Sequence, residues 1–137
     1  MTGLLVDTGF LGALFDPTDR YCQQARSFMQ SNRLPLATLS PVIVETCLFL
    51  TASQKQGLLE WVQRSALSVT ELPVSTYPEL STIIGKYADR DIDLADAALV
   101  WLAGETGVRT VLTVDEKDFG VYRMKGGKRF EVVRWFE

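Results

Sequence analysis

The stretch DLADAALVWLAGETGVRTVLTVDEKDFG, residues 93–120, decides how this chain folds. Asp93 is a helix N-cap candidate, and Asp96 opens the apolar run Ala97-Ala98-Leu99-Val100-Trp101-Leu102-Ala103. The spacing predicts a helix that carries Asp96 and runs to about Glu105, with Gly107 supplying the left-handed exit of a C-cap. Val108 to Val114 then reads as a strand, and Val111-Leu112-Thr113-Val114 closes on Asp115. A helix feeding a strand with a continuous apolar run is the signature of a buried parallel sheet.

Working outward, the same alternation repeats. Leu4-Leu5-Val6 is a short apolar strand ending at Asp7, and Thr8-Gly9 breaks it. Short helices are expected over Phe10–Phe15, stopped by Asp16-Pro17, and over Asp19–Ser31. Leu34–Leu39 is a second strand. Ser40-Pro41 opens a helix to Thr51 with Ser40 as N-cap and proline in the first turn. Helices at Gln54–Arg64 and Ser75–Tyr87 flank a third strand at Ser68–Leu72. Ala88–Asp91 is a charged loop, and Phe130–Trp135 is a fifth strand beyond a Gly126-Gly127 turn. Strands separated by helices give an α/β fold, a three-layer α/β/α sandwich with a mostly parallel sheet of about five strands.

The chain of 137 residues fits a single domain spanning 1–137, and at this size about two thirds of the unfolded surface is buried. No apolar stretch approaches the ~20 residues that span a bilayer, and the N-terminus has no basic segment before its apolar run, so a cytoplasmic, membrane-free protein is expected. Cys22 and Cys47 lie in predicted helices without a pairing pattern and read as reduced, small hydrophobes. The count of zero histidines removes the commonest general base, the usual zinc ligand and every Ser-His-Asp device. Catalysis in this chain must run on carboxylates, hydroxyls, lysines or a metal.

Four acids stand against apolar neighbours: Asp7, Glu45, Asp96 and Asp115. A carboxylate so placed loses hydration and must be neutralised by a partner, a proton or a cation. Asp7 and Asp115 end two strands, Asp96 lies near a helix start and Glu45 early in its helix, so the four can meet at the carboxyl rim of the sheet. Plainer alternatives exist for Asp7 as a turn acid, for Asp96 as a cap like Asp93, and for Asp115 in an exposed polar loop, whereas Glu45, set among apolar neighbours, is the hardest to explain away. Thr8 and Thr113 flank the cluster as hydrogen-bond donors, Thr113 sharing a strand face with Asp115, and Asp118 joins if its loop turns helically. Net charge is −3, but setting the four acids aside leaves 14 basic residues against 13 acidic. Arg123, Lys125, Lys128 and Arg129 crowd the C-terminal end and read equally as a phosphate-contacting patch or as a solvated hairpin.

The order Leu-Val-Asp7-Thr8, Glu45 in a helix, Asp93-Leu-Ala-Asp96-Ala-Ala and Leu112-Thr113-Val-Asp115-Glu-Lys-Asp118-Phe119 resembles the PIN domain family, particularly the VapC-like toxins of toxin–antitoxin pairs. The resemblance runs from Leu4 to about Val133. It implies a ribonuclease dependent on magnesium or manganese, with Asp7, Glu45, Asp96 and Asp115 as the acidic quartet, a five-stranded parallel sheet, frequent homodimerisation and often an antitoxin covering the site. Many relatives carry a histidine in the first long helix, where this chain has Arg20-Tyr21-Cys22. A non-catalytic PIN-fold module that binds protein or RNA is the alternative, although such a module has no use for all four acids. A phosphatase of the haloacid dehalogenase type wants an acid two residues beyond Asp7, and Gly9 stands there.

Overall fold

The computed structural model describes residues 3–64 and 67–137. In chain order the elements are β1 (Leu4–Val6), α1 (Thr8–Phe15), α2 (Cys22–Ser31), β2 (Leu36–Leu39), α3 (Ser40–Cys47), α4 (Ala52–Gln63), β3 (Ser68–Thr70), α5 (Tyr77–Lys86), α6 (Leu94–Thr106), β4 (Thr110–Leu112), α7 (Glu116–Phe119) and β5 (Glu131–Val132), with single 3₁₀ turns at Val74–Thr76 and Ala88–Arg90. The strands form one sheet in the order β3-β2-β1-β4-β5, and every pairing is parallel. Leu4, Leu5 and Val6 are all buried although neighbouring strand residues face opposite sides, so both faces of β1 are covered and the architecture has three layers.

The strand order reverses at β1, which has β2 on one side and β4 on the other. In an open parallel sheet, such a switch point leaves a crevice beyond the carboxyl ends of the two diverging strands. Register fixes what lines it: Val6 stands opposite Leu112, so the next residues out, Asp7 and Thr113, leave the sheet side by side. The Asp7 amide still donates to the Leu112 carbonyl at 3.0 Å, which holds this rim rigid.

Packing beneath the rim is aromatic. Phe10 of α1 is fully buried, edge-on to Trp135 at 4.8 Å and to Phe28 at 5.8 Å between ring centroids. Burial of one such ring contributes roughly 1.5–3 kcal/mol. Trp135 also donates its indole N–H to the Thr113 carbonyl at 3.2 Å, so the C-terminal segment braces the end of β4.

Several boundaries differ from the sequence expectation. Helix α1 starts at Thr8 rather than Phe10, because Asp7 caps it directly by accepting the Thr8 amide at 2.8 Å. Ser40 is not an N-cap: Leu39 holds that position, and the Ser40 hydroxyl donates to Glu71 instead. Helix α3 ends at Cys47 rather than Thr51, since Thr51 caps the next helix in a reciprocal box with Gln54. Asp93 and Gly107 bound α6 as expected, the latter at φ +77°. No helix among the described residues is long and apolar enough to cross a membrane.

Candidate metal centre

At the crevice, sequence and backbone geometry bring six acids together. Asp7 is buried at the end of β1, with one carboxylate oxygen on the Thr8 amide and the other accepting the Thr113 hydroxyl at 2.7 Å. Asp96, in the first turn of α6, accepts the Tyr122 hydroxyl at 2.9 Å. Asp115 caps α7 by accepting the Asp118 amide at 3.1 Å, and this helical turn carries Asp118 inward. Oxygens of Asp96, Asp115 and Asp118 lie within 4.8 Å of one another. Glu45 stands to one side, taking the Thr8 hydroxyl at 2.6 Å, and Asp93 caps α6 through the Asp96 amide.

The charges show how crowded this is. Burial first, then the nearby charge of Asp7, pushes Asp96 from 3.8 up to about 8. Burial likewise lifts Asp7 to about 6 despite the hydrogen bonds from Thr113 and Thr8, with Glu45 and Asp93 adding repulsion. Glu45 and Asp115 are raised too, by burial above all. Asp96 thus favours its proton over a bare charge despite the hydrogen bond from Tyr122, which works the other way. Arg90 forms the one ion pair within the cluster among the described residues, to Asp118 at 2.6 Å.

An array of carboxylate oxygens, with no nitrogen or sulfur ligand and one cation to share, has the donor chemistry of a hard divalent ion rather than of zinc or copper. The Tyr122 hydroxyl behind Asp96 and the Thr113 hydroxyl behind Asp7 hold those carboxylates in place.

No protein-family model matches the chain. It is 29% identical over 135 residues to Ribonuclease VapC26 of Mycobacterium tuberculosis (strain ATCC 25618 / H37Rv), covering 95% of this chain and 99% of that one. Its fold superposes with a TM-score of 0.77 on the crystal structure of Mycobacterium tuberculosis VapC20, described as a Sarcin-Ricin loop cleaving toxin, at 17% identity over 84% of this chain and 92% of the other. The chain is thus similar over nearly its whole length to a VapC ribonuclease and shares the fold of a VapC toxin.

Within this VapC-like framework, the residues singled out from sequence do not all fall as expected. Asp96 and Asp115 fall in one group with Asp118, whose condition is met because its loop is helical, and Asp7 stands close enough for its charge to raise Asp96. Glu45 lies in the second half of α3 rather than early in it, so the helix dipole does not favour its charge, and its contact is through Thr8. Thr113 does not share a strand face with Asp115, since β4 ends at Leu112; its hydroxyl instead bridges the Asp115 amide and Asp7. Arg123, Lys125, Lys128 and Arg129 form a turn closed by an Arg123–Arg129 bridge and set against Gly104 near the far end of α6, away from the acids. Tyr122 and Arg90 escaped the sequence analysis, because neither stands at a strand end or in an apolar run.

The raised acids set a pH dependence for the metal-free protein. Between their ordinary 3.8 and the folded values of about 6 for Asp7 and about 8 for Asp96, the folded chain holds protons that the unfolded chain has released, so stability contributed by these groups falls as pH rises. Thermal melting in chelator is expected to drop between pH 5 and pH 8. Asp96→Asn should flatten that slope, and an unchanged slope in the variant would remove Asp96 from the effect.

Proposed function

We propose that this protein is a divalent-metal-dependent endoribonuclease and the toxin of a toxin–antitoxin pair. The convergence of Asp7, Asp96, Asp115 and Asp118 at the switch-point crevice carries this reading. It is supported by the near full-length likeness to a relative named a ribonuclease and by a fold shared with an RNA-cleaving toxin. RNA is the substrate, an antitoxin protein the partner, and magnesium or manganese the ion.

Asp96, Asp115 and Asp118 would hold the ion, with Asp7 beside them and Glu45 on the Thr8 side positioned to orient the attacking water. A bound divalent ion supplies Lewis acidity, the lowered pKa of a coordinated water and charge to offset that building on the phosphoryl oxygens. The chain does the rest. Thr113 and Thr8 fix the Asp7 carboxylate, and Tyr122 fixes that of Asp96 so that its proton is given up with its geometry intact. Arg90 balances Asp118 and leaves the other acids available.

Homodimerisation is assigned to the face beside Glu45. Val44, Leu48, Tyr77 and Leu94 are exposed and line, with Glu45, a shallow depression of about 460 Å³, and Phe49, also exposed, follows Leu48. Exposed apolar groups gathered this closely are characteristic of an interaction surface.

Asp7→Asn should abolish cleavage of RNA in magnesium or manganese while the fold persists, and chelator should silence the wild type; full activity in the variant would remove Asp7 from the site. Tyr122→Phe, which keeps the ring and loses the hydroxyl, should weaken manganese binding by about 10- to 100-fold in calorimetric titration. Leu48→Glu should shift the protein to monomer by light scattering, and an unchanged mass would move the dimer to another face.

A further inference from the structure

A second concave surface lies along α6, beyond the acids. Four-residue spacing puts Asp96, Val100 and Gly104 on one side of this helix, and Gly104 lies about 12 Å along the axis from Asp96. There α5, α6 and the turn after α7 enclose a groove of about 340 Å³. Its apolar lining is Ile83, Val100, Trp101 and Met124, and Trp101 is held by its indole N–H on Glu79 at 3.1 Å.

The groove connects to the acidic centre through two tyrosines. Tyr122, whose hydroxyl reaches Asp96, packs edge-on against Tyr87 at 5.0 Å between ring centroids. The Tyr87 hydroxyl accepts the Arg123 amide at 2.8 Å, and Arg123 lines the groove. Arg90, one turn beyond Tyr87, reaches Asp118.

The rim is basic. Lys86, Arg123 and Lys125 line the groove, and Lys128 and Arg129 follow on the same turn. None of these five cations forms an ion pair among the described residues, although Glu79 and Glu105 also line the groove. One nitrogen of Arg123 is committed to the carbonyls of Gly120, Val121 and Tyr122, which anchors the side chain at its place on the rim. Close approach is built in at Gly104, where an added Cβ would stand 2.9 Å from the Lys125 Cβ, so the absence of a side chain lets the basic turn lie against α6.

Unpaired cations above a fixed aromatic floor are the two elements of a single-strand nucleic-acid platform, the cations for phosphates and the ring faces for bases. We propose that this groove binds the stretch of single-stranded RNA adjoining the cleaved bond, with phosphates on Lys86, Arg123 and Lys125 and a base over Trp101. The inference rests on the ribonuclease reading for the placement of the cleaved bond at the acids. The RNA then passes the partly exposed Arg90 on its way from one site to the other, over the surface that covers the buried Tyr87–Tyr122 pair.

The test is made in the cleavage-silent Asp7→Asn protein, so that bound RNA survives. A fluorescent single-stranded RNA oligonucleotide is titrated by anisotropy over a range of salt, with and without Lys86→Gln and Lys125→Gln together. Loss of two phosphate contacts should lessen the slope of log affinity against log salt by about 1.4, at about 0.7 per contact on a single strand. An unchanged slope overturns the proposal. If RNA binding is indifferent to the substitutions while retention of poly-glutamate is lost, the groove belongs to an acidic protein segment and the RNA path is again overturned. Cleavage by the wild type is measured separately: no cleavage in magnesium or manganese defeats the ribonuclease reading, whereas cleavage with an unmoved slope defeats only the groove.

Discussion

The parallel pairing of β1 with β4 is the constraint on which the rest of this molecule depends. It sets Val6 opposite Leu112, and from that one register Asp7 and Thr113 emerge together at the rim, joined by a 2.7 Å hydrogen bond between residues 106 positions apart in the chain. A shift of one residue in that pairing would turn Thr113 to the other face and leave a buried carboxylate without its donor. Burial of an unsatisfied acid is costly enough that register and site are specified by the same contacts.

Around that pair, the protein concentrates negative charge faster than it neutralises it. Asp96 and Asp7 are held well above ordinary carboxylate behaviour, by burial first and by the charge of neighbouring acids as well. Tyr122, Thr113, Thr8 and backbone amides give the acids fixed positions without supplying positive charge, and Arg90 gives one. The fold thus maintains an electrostatic deficit at its crevice, as expected where a cation is to be recruited rather than where acids stabilise the structure. Helix α7 contributes to this through a single turn: capping by Asp115 is what directs Asp118 inward.

The two sides of the crevice differ in character. Toward α3 lie exposed apolar groups beside Glu45, and toward α5 and the last turn lie cations without an ion pair among the described residues, over an aromatic floor. An apolar face suits a protein surface, and a basic one suits a polyanion. The acidic centre sits between them, with Glu45 near the first and Arg90 and Tyr122 near the second.

By itself, the sequence determined the class of fold and the identity of most of the acids. Apolar runs, the Asp93 cap and the Gly107 exit act locally, and their periods are readable without knowing what they pack against. The acids at Asp7, Asp96 and Asp115 were legible for the same reason, because each interrupts or ends an apolar run. The tertiary structure alone decided that Tyr122 and Arg90 belong to the site, that Thr113 serves Asp7, and that the basic turn lies along α6 at a distance from the acids. Those relations join residues brought together by strand order and helix packing, and nothing in the spacing along the chain encodes which side chains the closing of the sheet will set face to face.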